Sequence, residues 1–296
     1  MSSRIIIPRN LQFSTLYSLT RPVIDPRGLP ASREYIFDFS RLYFIDGAGL
    51  TVLSNTLEWL HHNGVVVNFI GNESIGSEAI KYLDDCGFFN NHLGYCLREC
   101  ASSRLTTLAC AKISEDEAFS WLMQKLSPFL SNILDVPSGG LASIRSSVGE
   151  VFNNIKDHST LNVGFAYVQH YPRNHDVRIT ISDFGRGIPN SMRQQFPALN
   201  DMQAILRATA EGVTAQSTPG NRGLGLDFLI RRVTACNGKV TILSYNGAVE
   251  CVQGANGAVE RRPRGGNGAY PGTLVDISLR TDCFIGDECE EEEFEW

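Results

Sequence analysis

The chain has 296 residues and a formal net charge of −6, and 43% of its residues are hydrophobic while 20% are charged. This length predicts two domains of roughly 150 residues each, and the composition is typical of a soluble globular protein. The acidic balance gives no basic footprint for direct nucleic-acid binding, and no apolar run approaches the ~18 residues of a membrane-spanning helix. Eight cysteines without a Cys-x-x-Cys pair, and an N-terminus without a signal-peptide core, predict reduced thiols and a cytoplasmic protein.

The first hundred residues alternate between strand and helix patterns. Residues 5–7 predict an edge strand, and residues 35–39 and 65–70 predict further strands because they are rich in β-branched and aromatic residues. Leucines at helical spacing over residues 53–60 predict a helix that Gly64 ends, and a second helix is expected over about 77–85. Strands that alternate with helices predict a small α/β sheet with right-handed crossovers.

This half resembles a STAS domain, the fold of anti-sigma-factor antagonists, over residues 30–95. The resemblance depends on Phe44-Ile-Asp46, followed by Gly49-Leu50, and on the strand that begins at Val65. In antagonists of this type, the residue after the Asp is a phosphorylated Ser or Thr. Here Gly47 occupies that position, so the resemblance implies docking of a protein partner rather than a phosphorylation switch.

A second unit is expected to begin after the polar joint at residues 96–106. Residues 107–113 predict its first strand, and Ser114-Glu-Asp-Glu117 is a capping box that opens a helix. The apolar residues of that helix recur at helical spacing and predict a core-facing stripe. They are Phe119, Leu122, Met123, Leu126, Phe129 and Leu130.

Residues 144–158 form the most informative helix pattern. Its apolar residues fall on one face, and Glu150, Asn154, Asp157 and His158 fall on the other. A purely solvated face is the alternative interpretation. However, Asn, Asp and His are weak helix formers, and none of them is at a cap in this pattern.

Two glycine motifs follow. The alternating strand 177–182 leads into Asp183-Phe-Gly185-Arg-Gly187, where the glycines permit positive φ and close approach of a ligand. Gly223-Leu224-Gly225 opens an apolar helix, and free N–H groups at such a helix start suit phosphate. Each motif alone is weak, because many turns look alike.

Taken in order, Glu-x₃-Asn-x₃-His, Asp-x-Gly-x-Gly and Gly-x-Gly-Leu resemble the three ATP-binding boxes of the GHKL superfamily (the Bergerat fold). This superfamily includes gyrase, Hsp90, histidine kinases and the anti-sigma-factor serine kinases. The resemblance covers roughly residues 105–282. It implies that Asn154 ligates Mg²⁺, that Asp183 accepts a hydrogen bond from the adenine amino group, and that Glu150 is the general base.

The same resemblance assigns the remaining site residues. Gly185 and Gly187 would let adenine and ribose lie close to the backbone, while Thr273 would close the adenine pocket. Gly223, Leu224 and Gly225 would wrap the phosphates, and Arg222 is placed where it would meet a γ-phosphate or face solvent.

Residues 188–220 are expected to hold a mobile lid with a helix at about 202–210. Residues 247–252 and 257–262 are expected to pair as a long hairpin. Its basic cluster consists of Arg261, Arg262 and Arg264, for which a solvated tip is favoured over contact with the acidic C-terminal tail or with a partner. Seven of the nine residues 287–295 are Asp or Glu, which predicts a disordered, solubilising tail or a docking segment.

The sequence therefore predicts an α/β (α+β) protein: a STAS-like domain over 1–100, a GHKL α/β sandwich with a mixed sheet over 101–286, and an acidic tail over 287–296. We expect a Mg-ATP-dependent ATPase or protein serine/threonine kinase. A Walker motif, the protein-kinase motif set and the phosphoacceptor helix of a classical histidine kinase are missing from the sequence. The alternatives are a non-kinase ATP switch that controls a dimer or partner complex, and an interaction protein with a vestigial ATP site. Homodimerisation through either domain stays open.

Overall fold

The computed structural model describes residues 2–74, 76–210, 225–266 and 268–284, with backbone alone at 115, 153–162 and 225. Its strands are β1 (Ser3–Ile6), β2 (Asn10–Leu11), β3 (Glu34–Asp38), β4 (Phe44–Ile45), β5 (Val66–Ile70), β6 (Thr107–Ser114), β7 (Ser159–Tyr171), β8 (Asp176–Gly185), β9 (Lys239–Ser244), β10 (Gly247–Gln253), β11 (Val259–Gly265) and β12 (Leu274–Arg280). Its α-helices are α1 (Leu16–Thr20), α2 (Gly47–His62), α3 (Glu78–Asp85), α4 (Phe88–Leu93), α5 (Glu115–Trp121), α6 (Ser127–Leu134), α7 (Ala142–His158), α8 (Gly187–Arg193), α9 (Asp201–Ala208) and α10 (Gly225–Ala235). With 39% helix and 29% strand, the predicted mixed α/β class is confirmed.

The N-terminal strands form a parallel three-stranded sheet in the order β1-β3-β5. The predicted edge strand near residue 5 is β1, and it does lie at the edge of this sheet. Helix α2 precedes β5 and begins where the Asp46 side chain accepts a hydrogen bond of 2.8 Å from the backbone N–H of Gly49. This N-cap satisfies one of the N–H groups that have no partner within the helix. Gly64 follows the helix with φ of 68°, as a helix stop requires.

The large sheet has seven strands in the order β11-β10-β9-β12-β8-β7-β6. Every neighbouring pair in it is antiparallel, so the predicted mixed sheet is wrong. The reason lies in the connections. Short turns join β7 to β8, β9 to β10 and β10 to β11, and a tight turn reverses the chain direction, which forces antiparallel neighbours. The strands β6 and β12 then add in alternating direction.

The two faces of the large sheet carry different layers. Along β8, Ile179 and Ile181 join the core cluster that includes α7 and α10, whereas Phe184 joins the cluster that includes α2. Because successive strand residues point to opposite faces, the helices of the second half cover one face and α2 covers the other. Helix α2 is buried on nearly all sides, since it lies between the small sheet and the large one.

The helix pattern after β6 is confirmed at its start and wrong in part of its stripe. Ser114 and Glu117 form the predicted capping box, with the Glu117 carboxylate 3.0 Å from the Ser114 backbone nitrogen. Phe119 and Met123, predicted to face the core, are instead 74% and 42% exposed. A π-helical turn over Leu122–Leu126 separates α5 from α6. It breaks the 3.6-residue spacing on which the predicted stripe depended.

The predicted hairpin is confirmed as β10 and β11, with Gly247 opposite Gly265. Arg262 and Arg264 have half-exposed or exposed side chains, as expected of a solvated strand. For Arg261 that expectation is wrong. Its guanidinium lies 2.7 Å from the Thr209 carbonyl oxygen and 3.1 Å from a carboxylate oxygen of the buried Asp227.

Candidate functional site

The candidate site is built around Asp183, near the end of β8, an interior strand of the large sheet. The Asp183 side chain is 2% exposed. Its Oδ1 accepts a hydrogen bond of 2.8 Å from the Thr273 backbone N–H, and the Asp183 N–H donates in turn to the Thr273 carbonyl at 2.9 Å. The structure thus brings together two residues that the sequence analysis assigned to one pocket, although they are ninety residues apart.

Burial governs the charge of this carboxyl group. Removal from water raises the pKa of Asp183 to about 7, and the hydrogen bond from Thr273 only partly opposes that rise. A buried carboxyl group with a perturbed pKa at the end of a strand marks a candidate ligand site.

Tyr270 and Gly272 pack against the backbone carbonyl of Asp183. The Tyr270 hydroxyl donates to the Asp183 carbonyl oxygen at 2.5 Å, and Tyr270 is fully buried. Gly272 has φ of 127°, and a Cβ there would lie 2.2 Å from the same carbonyl oxygen. Only glycine tolerates both conditions. These contacts therefore fix the backbone of the strand end that carries Asp183.

The two predicted glycines after Asp183 differ in conformation. Gly185 is the last residue of β8 and donates its N–H to the Pro271 carbonyl at 3.3 Å. Gly187 has φ of 69°, as the sequence motif suggested, and a Cβ there would lie 2.6 Å from Ser244 Oγ and 2.8 Å from the Gly272 carbonyl oxygen. The close approach of two backbone segments requires glycine at this position.

Helix α7 runs to the same end of the sheet. It ends at His158, and the next residue, Ser159, pairs with Gly185 in the sheet. The helix covers the face that carries Asp183 and packs against α10. Glu150 on α7 is half-buried. Asn154 lies one turn later in the same helix, where only the backbone is described.

The third predicted motif falls mostly outside the described residues. Arg222, Gly223 and Leu224 lie beyond them, and so does the acidic tail over 287–296. Gly225 is the first residue of α10. Helix α7, which carries Glu150 and Asn154, and helix α10, which follows the third motif, pack on one face of the large sheet. The Asp183 side chain points to that same face.

A separate pocket lies between the two halves, away from these residues. It has a volume of about 720 Å³ and is lined by residues such as Tyr17, Arg21, Leu243 and Arg264. Leu243 and Ala248 line it from the face that carries α2. This pocket is therefore distinct from the candidate site. Among the described residues there is no group of His, Cys, Asp and Glu side chains arranged to hold a metal.

Sequence reasoning missed the residues of α2 that reach the large sheet. Gly47 lies against β8, where a Cβ would be 2.7 Å from Thr180 Oγ1 and 3.1 Å from Tyr167 Cδ1. The Asn55 amide donates to the Ser182 carbonyl oxygen at 2.8 Å. The available signal was an Asn in the middle of a largely buried helix, because a buried amide needs a partner.

Within the described ranges, no helix is long and apolar enough to cross a bilayer. No family model matches the chain, and no curated protein matches it at a significant level. The family resemblance therefore depends on the three sequence motifs alone.

Proposed function

We propose that the chain is a GHKL-type Mg-ATP-binding protein with a STAS-like N-terminal unit, acting as an ATPase or as a protein serine/threonine kinase. One observation carries the proposal. Asp183, at the end of an interior strand, is buried, is held by the backbone of Thr273, and lies on the same sheet face as the helix of Glu150 and Asn154. This arrangement supports the proposal, because the GHKL resemblance implies that these residues surround one nucleotide.

The described residues fit the adenine end of ATP. The Asp183 carboxyl group is buried, and among the described residues it accepts one hydrogen bond, at Oδ1 from the Thr273 N–H. It therefore retains acceptor capacity for an amino group. Gly187 and Gly272 allow backbone segments to approach closely beside it.

Assignments at the phosphate end follow from the family resemblance. ATP with Mg²⁺ would supply a γ-phosphoryl group activated for transfer, with Asn154 among the ligands that hold the metal. Glu150, half-buried on the same helix, would accept the proton of the attacking water or hydroxyl, as a general base does. The glycines at 223 and 225 would donate backbone hydrogen bonds to phosphate oxygens.

The structure bears on the role of the STAS-like unit. The position at which an antagonist carries its phosphorylated hydroxyl is Gly47, and there is no room for a Cβ at that position against Thr180. The nearest hydroxyls in α2, Thr51 and Ser54, are completely buried. We therefore assign this unit to structural support of the ATP domain and to docking of a protein partner, without phosphorylation at this position.

The alternative is a non-kinase switch in which ATP changes a partner or dimer interface. It is favoured by the direct contact between α2 and the strand that carries Asp183. A ligand that shifts this strand would also change the contacts of α2 in the N-terminal unit. Phosphate transfer to a co-purifying protein separates the kinase from the switch.

The test combines binding and turnover in the full chain. We expect Mg-ATP to bind by calorimetry, Asn154→Ala to weaken binding in Mg²⁺, and Glu150→Gln to bind ATP without hydrolysing or transferring its phosphate. Hydrolysis by Glu150→Gln at the wild-type rate would remove Glu150 from the chemistry. Failure of the wild type to bind ATP at millimolar concentration would overturn the proposal.

A further inference from the structure

Helix α2 contacts both neighbours of Asp183 from the far side of the sheet. The Asn55 amide nitrogen lies 2.8 Å from the Ser182 carbonyl oxygen and 2.5 Å from Ser182 Oγ. The Trp59 ring stacks on Phe184, with centroids 4.9 Å apart and planes at 23°. Because strand residues alternate, Ser182 and Phe184 face α2 while Asp183 faces the candidate site.

A second contact fixes the same peptide. The Tyr270 ring meets Phe184 edge to face, with centroids 5.4 Å apart, and its hydroxyl binds the Asp183 carbonyl oxygen. Asn55, Ser182 and Tyr270 are all completely buried. Hydrogen bonds in such a dry environment are stronger than in water, and buried groups that lose a partner are costly. The backbone around Asp183 is therefore held by groups that include two side chains of the N-terminal unit.

Asn55 is an unusual choice for simple packing. Its Oδ1 is buried and accepts no hydrogen bond from the described residues, so the amide is only partly satisfied. An apolar side chain at this position between the two sheets would avoid the cost of burying an unpaired amide oxygen. What Asn55 provides, and an apolar residue would not, is a fixed distance between α2 and the Ser182 peptide.

We infer that Asn55 and Trp59 are positioning residues for the adenine pocket, through which the N-terminal unit sets the geometry of Asp183 from the opposite face of the sheet. The inference rests on the proposed function. It implies that the ATP site of this chain is regulated from within: a partner that shifts α2 changes nucleotide affinity without touching the nucleotide.

Ser54 provides a matched control. It neighbours Asn55, is equally buried, and contacts β6 through Cys110 Sγ at 3.9 Å rather than contacting β8. Ser54→Ala therefore disturbs the same helix and the same interface but leaves both neighbours of Asp183 untouched.

The experiment compares two nucleotides in the full chain: ATP, and the triphosphate of the same purine nucleoside without its 6-amino group. We expect Asn55→Ala and Trp59→Leu to weaken ATP binding by about tenfold, the equivalent of one strong hydrogen bond. Binding of the analogue should change less than twofold, because the analogue offers nothing to Asp183. Ser54→Ala should leave both affinities at wild-type values.

Wild-type affinity of Asn55→Ala for ATP would overturn the inference, and so would equal losses for ATP and the analogue. If the wild type binds neither nucleotide, the proposed function fails, and a carboxyl NMR titration then decides whether Asn55 positions the Asp183 side chain. A pKa of Asp183 that moves in Asn55→Ala but not in Ser54→Ala supports positioning. A pKa that is the same in all three proteins contradicts it.

Discussion

Asp183 and Thr273 bind each other twice: the backbone N–H of Thr273 donates to the Asp183 carboxylate, and the Asp183 N–H donates to the Thr273 carbonyl. The pair joins β8 to the segment that leads into β12. It holds a buried carboxyl group in a fixed direction, at the place where the sequence motifs predict recognition of an amino group.

The first prediction concerns pH. Burial raises the pKa of Asp183 to about 7 from 3.8, so the native state retains a proton that the unfolded state releases. The stabilising contribution of the Asp183 carboxyl group is fully present below pH 4 and is lost as pH rises toward 7. At about 1.4 kcal/mol per pKa unit, this loss is roughly 4 kcal/mol. Asp183→Asn should therefore be more stable than the wild type at pH 7.5.

The measurement is the difference in unfolding free energy between Asp183→Asn and the wild type from pH 4 to 8. A difference is needed because other groups titrate in this range. Burial lowers the pKa of His92 to about 4, which stabilises the fold as pH rises, and burial raises the pKa of Asp46 to about 6. A difference that does not grow between pH 4 and 7 would show that Asp183 is not the buried acid described here.

The second prediction tests the close contact between α2 and the large sheet. Gly47→Ala places a Cβ 2.7 Å from Thr180 Oγ1, and that hydroxyl is fixed by a hydrogen bond of 2.7 Å to Asp276. Overpacking should cost about 1–3 kcal/mol, more than the helix propensity gained from alanine. Chemical denaturation measures it.

The double variant Gly47→Ala, Thr180→Ala should recover part of that loss, because the clashing hydroxyl is gone. Gly149→Ala is the control, since its Cβ would meet only Leu122 at an ordinary 3.5 Å. If the effects of the two substitutions on stability are strictly additive, the Cβ introduced at position 47 does not clash with the Thr180 hydroxyl.

The third prediction separates two adjacent arginines of β11. Arg261 joins Thr209 at the end of α9 to Asp227 in α10, and its loss leaves a buried carboxylate with one ion-pair partner fewer. Arg261→Ala should destabilise the protein by about 1–3 kcal/mol. Arg262→Ala, which removes an exposed pair with Glu260, should leave the melting temperature unchanged within error. Equal losses of stability in Arg261→Ala and Arg262→Ala would show that the contacts of Arg261 with Thr209 and Asp227 contribute no more than an exposed ion pair.

The sequence predicted local structure well where the signal is local. Ser114 and Glu117 are three residues apart, and the capping box that they predict is present. The β10–β11 hairpin is close to its predicted limits for the same reason. Phe119 and Met123 were assigned to the core because a regular helix was assumed, and a π-helical turn is not visible in apolar spacing.

Contacts between distant segments were beyond such reasoning. The family resemblance grouped Asp183 with Thr273, and the structure brings them together. Nothing in the sequence around Asn55 indicates a bond to Ser182, which is 127 residues away. Gly47 was recognised as lacking a hydroxyl, but a missing side chain does not reveal that the position is closed by Thr180. Strand direction was mistaken because it depends on which strands become neighbours.

The most direct test of the account is the shift in melting temperature that Mg-ATP causes in the wild type, Asp183→Asn and Asp176→Asn. Asp176 provides the same substitution at the opposite end of β8, where the side chain binds Ser278 and Arg178. We predict that Mg-ATP raises the melting temperature of the wild type and Asp176→Asn but not of Asp183→Asn, because an amide there would direct a donor at the adenine amino group. Equal shifts in all three proteins, or no shift in the wild type at millimolar Mg-ATP, would contradict the assignment of Asp183 to an adenine pocket.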